Sequence, residues 1–409
     1  MRRGDKPLKK VTHTWICCQL GAREHYAVPR ALHRQRLLDR LITDLWVKPN
    51  PWRKRLTAGL QERFHAELLT AKVGGFNRGA LAFEALARFS QSGWKLIMKR
   101  NAWFQQRALS QLRNLGHERD GSSPVLFAYS YAARQLFQHA AGRRWQTVLG
   151  QIDPGPINDR LMGQLCESQP ELRGAWRAAP ARYWEEWREE HRLAGRILVN
   201  SRWSYDALIA EKVAAEKLAI VPLAYDLPAE TAAVERNYPN CFSAQRPLRV
   251  LFLGQVSLLK GAGVVLQAAE RLRAEPVHVD FVGPVHFSIP RHWQEHPRLS
   301  WHGAVPRSAV ARHYRRADVF LLPTFSDGFG ITQLEAQAWK LPVIASRFCG
   351  EVVNDGVNGI VLKHLSADAI AETLSEFLDR PERLREMSAR CGTENRHSLD
   401  ALGATLSKL

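Results

Sequence analysis

The sequence predicts an α/β protein built on two doubly wound parallel sheets, one in each half of the chain, and three observations carry that prediction. Each half opens on an apolar run that stops at a glycine: Trp15-Ile16-Cys17-Cys18-Gln19-Leu20 before Gly21, and Arg249-Val250-Leu251-Phe252-Leu253 before Gly254. Short apolar runs of this kind then alternate with helical patterns, as expected of strand–helix–strand units whose parallel strands are buried on both faces. The third observation is the stretch Ala317 to Ala345, where a buried-strand pattern (Val319 to Leu322) leads into a glycine loop, a helix and a second apolar strand beginning near Pro342.

In the first half the strand patterns after residues 15–20 are 125–128, 147–151, 197–200 and 219–222. Residues 51–69 read as an amphipathic helix with Trp52, Leu56, Leu60, Phe64 and Leu68 along one side and Arg53, Lys54, Arg55 and Arg63 elsewhere. Such a helix either packs on the first sheet, the norm in α/β proteins, or lies on a membrane surface. Residues 228–247, with Pro239 and Asn240 in the middle and little hydrophobic periodicity, form the best linker, so the main boundary is placed near 240. The second half then reads as strand 249–253, helix 262–273, strand 278–282, strand 299–302, helix 307–316 and the unit at 317–345. The expected organisation is a first domain over 1–240, a second over 241–390 and a C-terminal helix over 391–409.

At 409 residues and 45% hydrophobic composition, the chain exceeds one typical core. It has no run of the ~18 apolar residues needed for a spanning helix. The basic start is followed by an apolar stretch that is short, interrupted by Thr12, His13 and Thr14 and without a small-residue cleavage site, so a signal peptide is not expected and a cytoplasmic location is. Six cysteines without metal-ligand spacing point to reduced thiols, and the fifteen histidines form no zinc pattern, so no metal is expected. The formal charge of +18 is uneven: residues 1–240 carry 38 Lys/Arg against 23 Asp/Glu, and residues 241–409 carry 20 against 17. The basic half would attract anionic lipid, a phosphate-bearing acceptor or nucleic acid, the last being the weakest because no nucleic-acid motif accompanies the charge.

The chemistry concentrates in the 317–345 unit. Its loop lies at the carboxyl end of a parallel strand, where the N–H groups of the following helix favour an anion. Asp327 sits on the loop and Glu335, after seven intervening residues, on the first turns of the helix. Gly328 and Gly330 carry no Cβ and allow main-chain amides to approach a sugar or phosphate. A second glycine frame, Gly254-Gln255-Val256-Ser257-Leu258-Leu259-Lys260-Gly261, presents Lys260. Asp153, in Gln151-Ile152-Asp153-Pro154-Gly155-Pro156, follows a strand of the first half and reads either as an acceptor-side group or as a turn residue. Lone His25 is read as structural.

Taken together, the Asp327-Gly328-Phe329-Gly330 loop, Glu335 and the Gly254 to Gly261 segment resemble the retaining nucleotide-sugar glycosyltransferases of family four, the glycosyl transferases group 1. The signature of that family is an acid, seven residues, then Glu, around a Gly-Phe-Gly loop. The resemblance covers about residues 190–390, and residues 1–150 match in outline only. It implies the GT-B architecture, two facing doubly wound domains with a ligand crevice, and a final helix that crosses back onto the first domain. It implies that Glu335 binds the ribose hydroxyls, that Asp327, where the family has Glu, orients the donor sugar, and that Lys260 grips the diphosphate.

The family places Arg where this chain has Gln255, so half of the expected cationic clamp is missing, and either Arg23, Arg347 or another residue compensates or the diphosphate is held more loosely. By the same resemblance Gly21 and Arg23 stand where the family has a Gly-Gly loop beside the donor phosphates. Gly254 frames Lys260, the amides of Gly328, Phe329 and Gly330 stabilise the leaving group, and the loops at Gly283 and Val305 hold the base through main-chain atoms. Ser201 and Arg202 open towards the cleft, and Cys349 to Gly359 is a structural turn.

The implied reaction is a metal-independent, retaining hexosyl-type transfer by same-face attack, with the departing diphosphate as base and no carboxylate nucleophile. No cofactor is expected beyond the nucleotide-sugar co-substrate. The expected partners are that donor, a sugar or lipid-linked acceptor of polysaccharide or glycolipid synthesis, and the anionic inner face of the cell membrane. Two alternatives stay open: another enzyme on the same fold, such as a nucleotide-sugar epimerase or a phosphorylase, and a non-catalytic membrane-associated sugar-nucleotide binding protein.

Overall fold

The computed structural model describes residues 13–48, 62–90, 93–115 and 124–409. The chain divides into two compact units, Met1–Gly150 with Pro180–Leu198 and Leu399–Leu409, and Gln151–Ala179 with Val199–Ser398.

The first sheet contains β1 (Trp15–Gln19), β2 (Leu38–Thr43), β3 (Lys72–Gly75), β4 (Val125–Tyr129), β5 (Gln146–Gly150), β6 (Arg196–Val199) and β7 (Leu218–Ile220), in the order β3-β2-β1-β4-β5-β6-β7. Every residue of β1 is buried, because the strand is paired in parallel with β2 on one side and β4 on the other. The strand order reverses between β1 and β4, so their carboxyl ends flank a topological switch point. Strands β2 and β3 were not expected. In β2 the apolar run is interrupted by Asp39 and Arg40, which satisfy each other at 2.8 Å, and the edge strand β3 ends on two glycines.

The expected helix over residues 51–69 requires correction where it is described, since residues 49–61 lie outside the described residues. Residues 62–69 contain only the 3-10 turn Ala66–Leu68. Polar pairing redirects the chain there. Arg63 meets Asp44 at 3.0 Å, Glu67 bonds Arg30 and Arg34 at 2.5 and 2.8 Å, and the His65 ring accepts the Glu67 amide. Phe64 packs beside Trp46 with centroids 5.2 Å apart. The helix Leu399–Leu406 packs on the helix Ala27–Arg34, where Arg34 meets Asp400 at 3.2 Å.

The second sheet holds β8 (Leu248–Leu253), β9 (Val277–Val282), β10 (Leu299–Gly303), β11 (Val319–Leu322), β12 (Val343–Ala345) and β13 (Gly359–Val361), in the order β10-β9-β8-β11-β12-β13. All of its pairings are parallel. The order again reverses beside a central strand, β8. The helices Ala262–Arg271 and Ala367–Asp379 pack together over one face, enclosing Phe281 and Phe377, each fully buried. Burial of each such side chain stabilises the unit by about 2–3 kcal/mol. The segment read as a linker packs on this unit. Tyr238 is buried and donates to the Asp318 carbonyl at 3.1 Å. Among the described residues, no helix is long and apolar enough to cross a membrane.

Candidate functional site

The loop between β11 and the helix Thr332–Ala338 is held from several sides. The Thr324 hydroxyl and the Phe325 amide both donate to the Leu259 carbonyl, at 3.1 and 2.8 Å, which joins the loops after β8 and β11 into one piece. Trp203 donates through Nε1 to Ser326 Oγ at 2.8 Å, and Ser204 Oγ donates to the Gly328 carbonyl at 3.3 Å. Gln333, fully buried, donates to the carbonyls of Phe329 and Gly350 at 2.7 and 2.9 Å. A loop pinned this way presents its side chains at fixed positions.

Two of those side chains meet. Lys260 Nζ lies 2.5 Å from Asp327 Oδ2, with side chains 23% and 20% exposed, and Asp327 Oδ1 accepts the Phe329 amide at 3.2 Å. An ammonium has three N–H donors, so Lys260 retains capacity for an anion while its carbon stem stays sheltered. The approach depends on Gly261, whose φ is +84° and whose position would bring a Cβ within 1.9 Å of the Pro323 carbonyl oxygen. At Gly328 a Cβ would stand 2.4 Å from the Ile152 carbonyl oxygen. The 151–155 loop therefore lies directly against the Asp327 loop.

Glu335 projects from the first turn of its helix and accepts the Tyr314 hydroxyl at 2.7 Å. Burial raises its carboxyl above the ordinary range, opposed by the Tyr314 hydrogen bond and the Arg307 guanidinium. Tyr314, buried at the end of the helix Arg307–Arg316, thus fixes the position of this acid. Nothing in the sequence around Tyr314 pointed to that contact, which depends on two helices packing together.

Gly254 and Gly283 end the neighbouring strands β8 and β9, Gly330 completes the Asp327 loop at φ +74°, and Val305 is half-buried against the core cluster that includes Leu251 and Val282. Gln255 is exposed beside Gly254, and Arg347 is exposed with its guanidinium 5.5 Å from the Phe348 ring centroid. Phe329 turns its ring into a small core with Leu334 and Val352, so only its main chain is available to a ligand. Asp153 shapes its own turn, accepting the Gly155 amide at 2.8 Å. Ser201 is buried as the cap of the helix Arg202–Ala210, and Arg202 pairs with Asp206 at 3.0 Å. Cys349 is buried, and burial pushes its thiol up.

Gly21 and Arg23 stand in the other compact unit, in the loop after β1. The Gly21 amide donates to Asp44 at 2.9 Å, and the exposed Arg23 guanidinium lies 5.8 Å from the Tyr129 ring centroid. The buried Gln19 amide holds the loop through the carbonyls of Gly21 and Arg23, at 3.0 and 3.1 Å. The next residue, Glu24, carries no signal of its own in the sequence. Glu24 accepts the Tyr129 hydroxyl at 3.2 Å, and burial lifts its carboxyl to about 7 against that bond and the Arg23 charge.

Comparison with known proteins bears on the second unit most strongly. The family model for glycosyl transferases group 1 matches residues 247–380. The chain is 27% identical over 217 residues to a D-inositol 3-phosphate glycosyltransferase of Paenarthrobacter aurescens, covering 49% of this chain and 53% of that one. It is 32% identical over 198 residues to the Xylanimonas cellulosilytica protein of the same name, covering 45% of this chain and 46% of that one. The aligned part thus spans about half the length of these curated relatives. Its fold is that of the Anabaena HepE protein solved in complex with UDP-glucose, at 16% identity and a TM-score of 0.60 over 97% of this chain and 100% of that one. It is also that of a sucrose-phosphate synthase from Thermosynechococcus elongatus, at 15% identity and a TM-score of 0.65 over 97% and 98%. With two Rossmann-like sheets and a glycine-framed lysine, acid loop and helix glutamate inside the matched region, residues 247–380 match the glycosyl transferases group 1 family and the chain has the GT-B fold.

Proposed function

We propose that this protein transfers a hexosyl-type sugar from a nucleotide diphosphate to an acceptor hydroxyl, with retention at the anomeric carbon and without a metal. The observation that carries this reading is the Lys260–Asp327 pair at the carboxyl ends of β8 and β11, with Glu335 on the helix that follows. A departing diphosphate develops negative charge, and a preorganised ammonium beside loop amides stabilises such charge more than it stabilises the bound ground state. Lys260 takes that role. Asp327, already oriented by Lys260 and the Phe329 amide, accepts a hydroxyl of the donor sugar. Glu335, held by Tyr314, accepts from the ribose. The acceptor oxygen attacks on the face that the diphosphate leaves, and a diphosphate oxygen takes its proton.

The complex of the Anabaena neighbour with UDP-glucose supports UDP-sugars as the first donors to test. The excess of basic residues in 1–240 supports an anionic acceptor, lipid-linked or soluble, of polysaccharide or glycolipid synthesis at the inner face of the membrane. Thermal-shift titration with UDP-, GDP- and ADP-glucose, with EDTA or with magnesium, tests the donor: one nucleotide-sugar should raise Tm equally in both, because a ligand of the folded state stabilises by linkage. A shift that requires magnesium would remove the metal-free part of the proposal. Stabilisation without nucleotide release across a panel of acceptors would instead favour a binding protein, a reading that the exposed Gln255 supports.

A further inference from the structure

The amino ends of β8 and β11, at the edge of the second sheet away from the glycine loops, border a cavity of about 520 Å³. Five arginines line it, Arg236, Arg246, Arg249, Arg315 and Arg316, against two carboxylates, Glu235 and Asp318. They are committed to different degrees. Arg236 spends its guanidinium on main-chain carbonyls, those of Trp339, Ala317 and Tyr314 at 2.7, 2.6 and 2.6 Å, so its charge is held in place by dipoles. Arg246 forks onto both oxygens of buried Asp318 at 2.6 Å each, and the Arg249 amide takes a further bond to that carboxylate at 2.9 Å. Arg315 lies over the Trp339 ring at 4.8 Å and reaches Glu230 at 2.7 Å. The side chains of Arg249 and Arg316 make no hydrogen bond or ion pair among the described residues.

We infer that this cavity is a second anion site, distinct from the Lys260 loop, and that its ligand is a multiply phosphorylated anion. Asp318 is the one buried carboxylate in the lining, and Arg246 already claims both of its oxygens. The Arg236 charge is left facing the cavity, with the donor groups of Arg249 and Arg316 available around it. Guanidinium forks match phosphate oxygens in pairs, which makes arginine the side chain suited to such a ligand. The volume lies within the range of small-molecule sites and exceeds what one phosphate fills. A soluble polyphosphorylated compound and a phosphorylated lipid headgroup share this chemistry.

The test uses the full chain carrying Lys260→Ala, which weakens the proposed donor site, and calorimetric titration with inorganic tripolyphosphate. Adding Arg249→Gln and Arg316→Glu should weaken binding at least tenfold. Neither side chain has a hydrogen-bond or ion-pair partner among the described residues, so the melting temperature should hold. Arg316→Ala alone, at an exposed position, provides a milder variant and should give a smaller loss. In the otherwise native chain the pair Arg249→Gln and Arg316→Glu should leave nucleotide-sugar stabilisation intact, which separates this site from the proposed function. Vesicles of phosphatidylcholine with and without a phosphorylated phosphoinositide then locate the source. Sedimentation that requires the phosphoinositide and the two arginines supports a headgroup ligand, and tripolyphosphate binding alone supports a soluble one. An unchanged titration in the arginine variant, or no tripolyphosphate binding in its parent, overturns the inference.

Discussion

After β8 the chain turns on glycines alone, Gly254 at φ +139° and Gly261 at +84°, whereas after β1 it turns first on Gly21 at +83° and then on Glu24, His25 and Tyr26, at φ 51°, 50° and 61°. Left-handed backbone costs an ordinary residue about 1–2 kcal/mol and glycine almost nothing. The β8 loop is therefore relaxed and delivers a cation, Lys260, already matched by Asp327. The β1 loop is strained, and Gln19 and Asp44 hold it from behind while Tyr129 meets the carboxyl of Glu24. Strain of this kind persists only where the surroundings overdetermine it, and it gathers at functional positions. The two switch points thus offer opposite chemistry, a charged lysine in one unit and a protonatable acid in the other.

Removing the cation should produce the largest change. Lys260→Ala is expected to lower turnover about 100- to 1,000-fold, as loss of one preorganised charge-stabilising donor does. Its cost in stability should stay near or below about 1 kcal/mol, because the pair with Asp327 retains access to solvent. Steady-state kinetics beside a urea melt checks both halves, and unchanged turnover would exclude Lys260 from the chemistry.

In the first unit the largest expected loss is structural. Glu190 is buried and accepts the amides of Tyr131, Ala133 and Arg134 at 2.7, 2.7 and 3.0 Å, closing the start of the helix Arg134–Gly142. Glu190→Ala leaves those donors without their acceptor and should cost about 3 kcal/mol. A urea midpoint equal to that of the native chain would show that water replaces the carboxylate.

How much of each region could be read in advance follows from the same contrast. The second unit follows regular rules: the helix Arg307–Arg316 and the strand Val319–Leu322 lie where periodicity places them, and the glycines mark the loops. Lys260 and Asp327 were legible as residues, while their contact was not, since it joins positions 67 apart in sequence. Tyr314 beneath Glu335 was hidden for the same reason. In the first unit β2 carries two charges and β3 two glycines, so neither has a strand pattern. Glu24 stayed hidden because Glu-His-Tyr carries no sign of left-handed backbone, which only the surrounding contacts impose.

The acid in the β1 loop makes the contrast testable by pH. The Glu24 carboxyl titrates near 7 in the folded chain and near 4.5 when unfolded, so between those values the folded state binds more protons. Stability from this group is fully present below about pH 4.5 and is lost as pH rises through 7. Glu24 keeps some access to solvent, which reduces the effect to about 1–2 kcal/mol. Glu24→Gln should flatten the fall in urea stability between pH 5 and 7.5 by that amount, with Glu190 unchanged in both proteins. Identical slopes would mean that Glu24 titrates as an ordinary surface acid.

The smallest expected effect sharpens the β8 side. Gln255 is exposed next to Gly254, five residues before Lys260, at the position where the family resemblance implies arginine. Gln255→Arg adds a second cation to a loop whose backbone already accepts it, with no buried contact to disturb. An exposed charge interaction contributes about 0.5–1 kcal/mol, so the affinity for UDP should rise roughly two- to fivefold while the ligand-free melting temperature stays put. Because screening weakens an exposed pair, the gain should shrink as salt is raised. A UDP affinity indifferent to both the substitution and salt would place the diphosphate out of reach of position 255 and leave Lys260 to act without a partner cation.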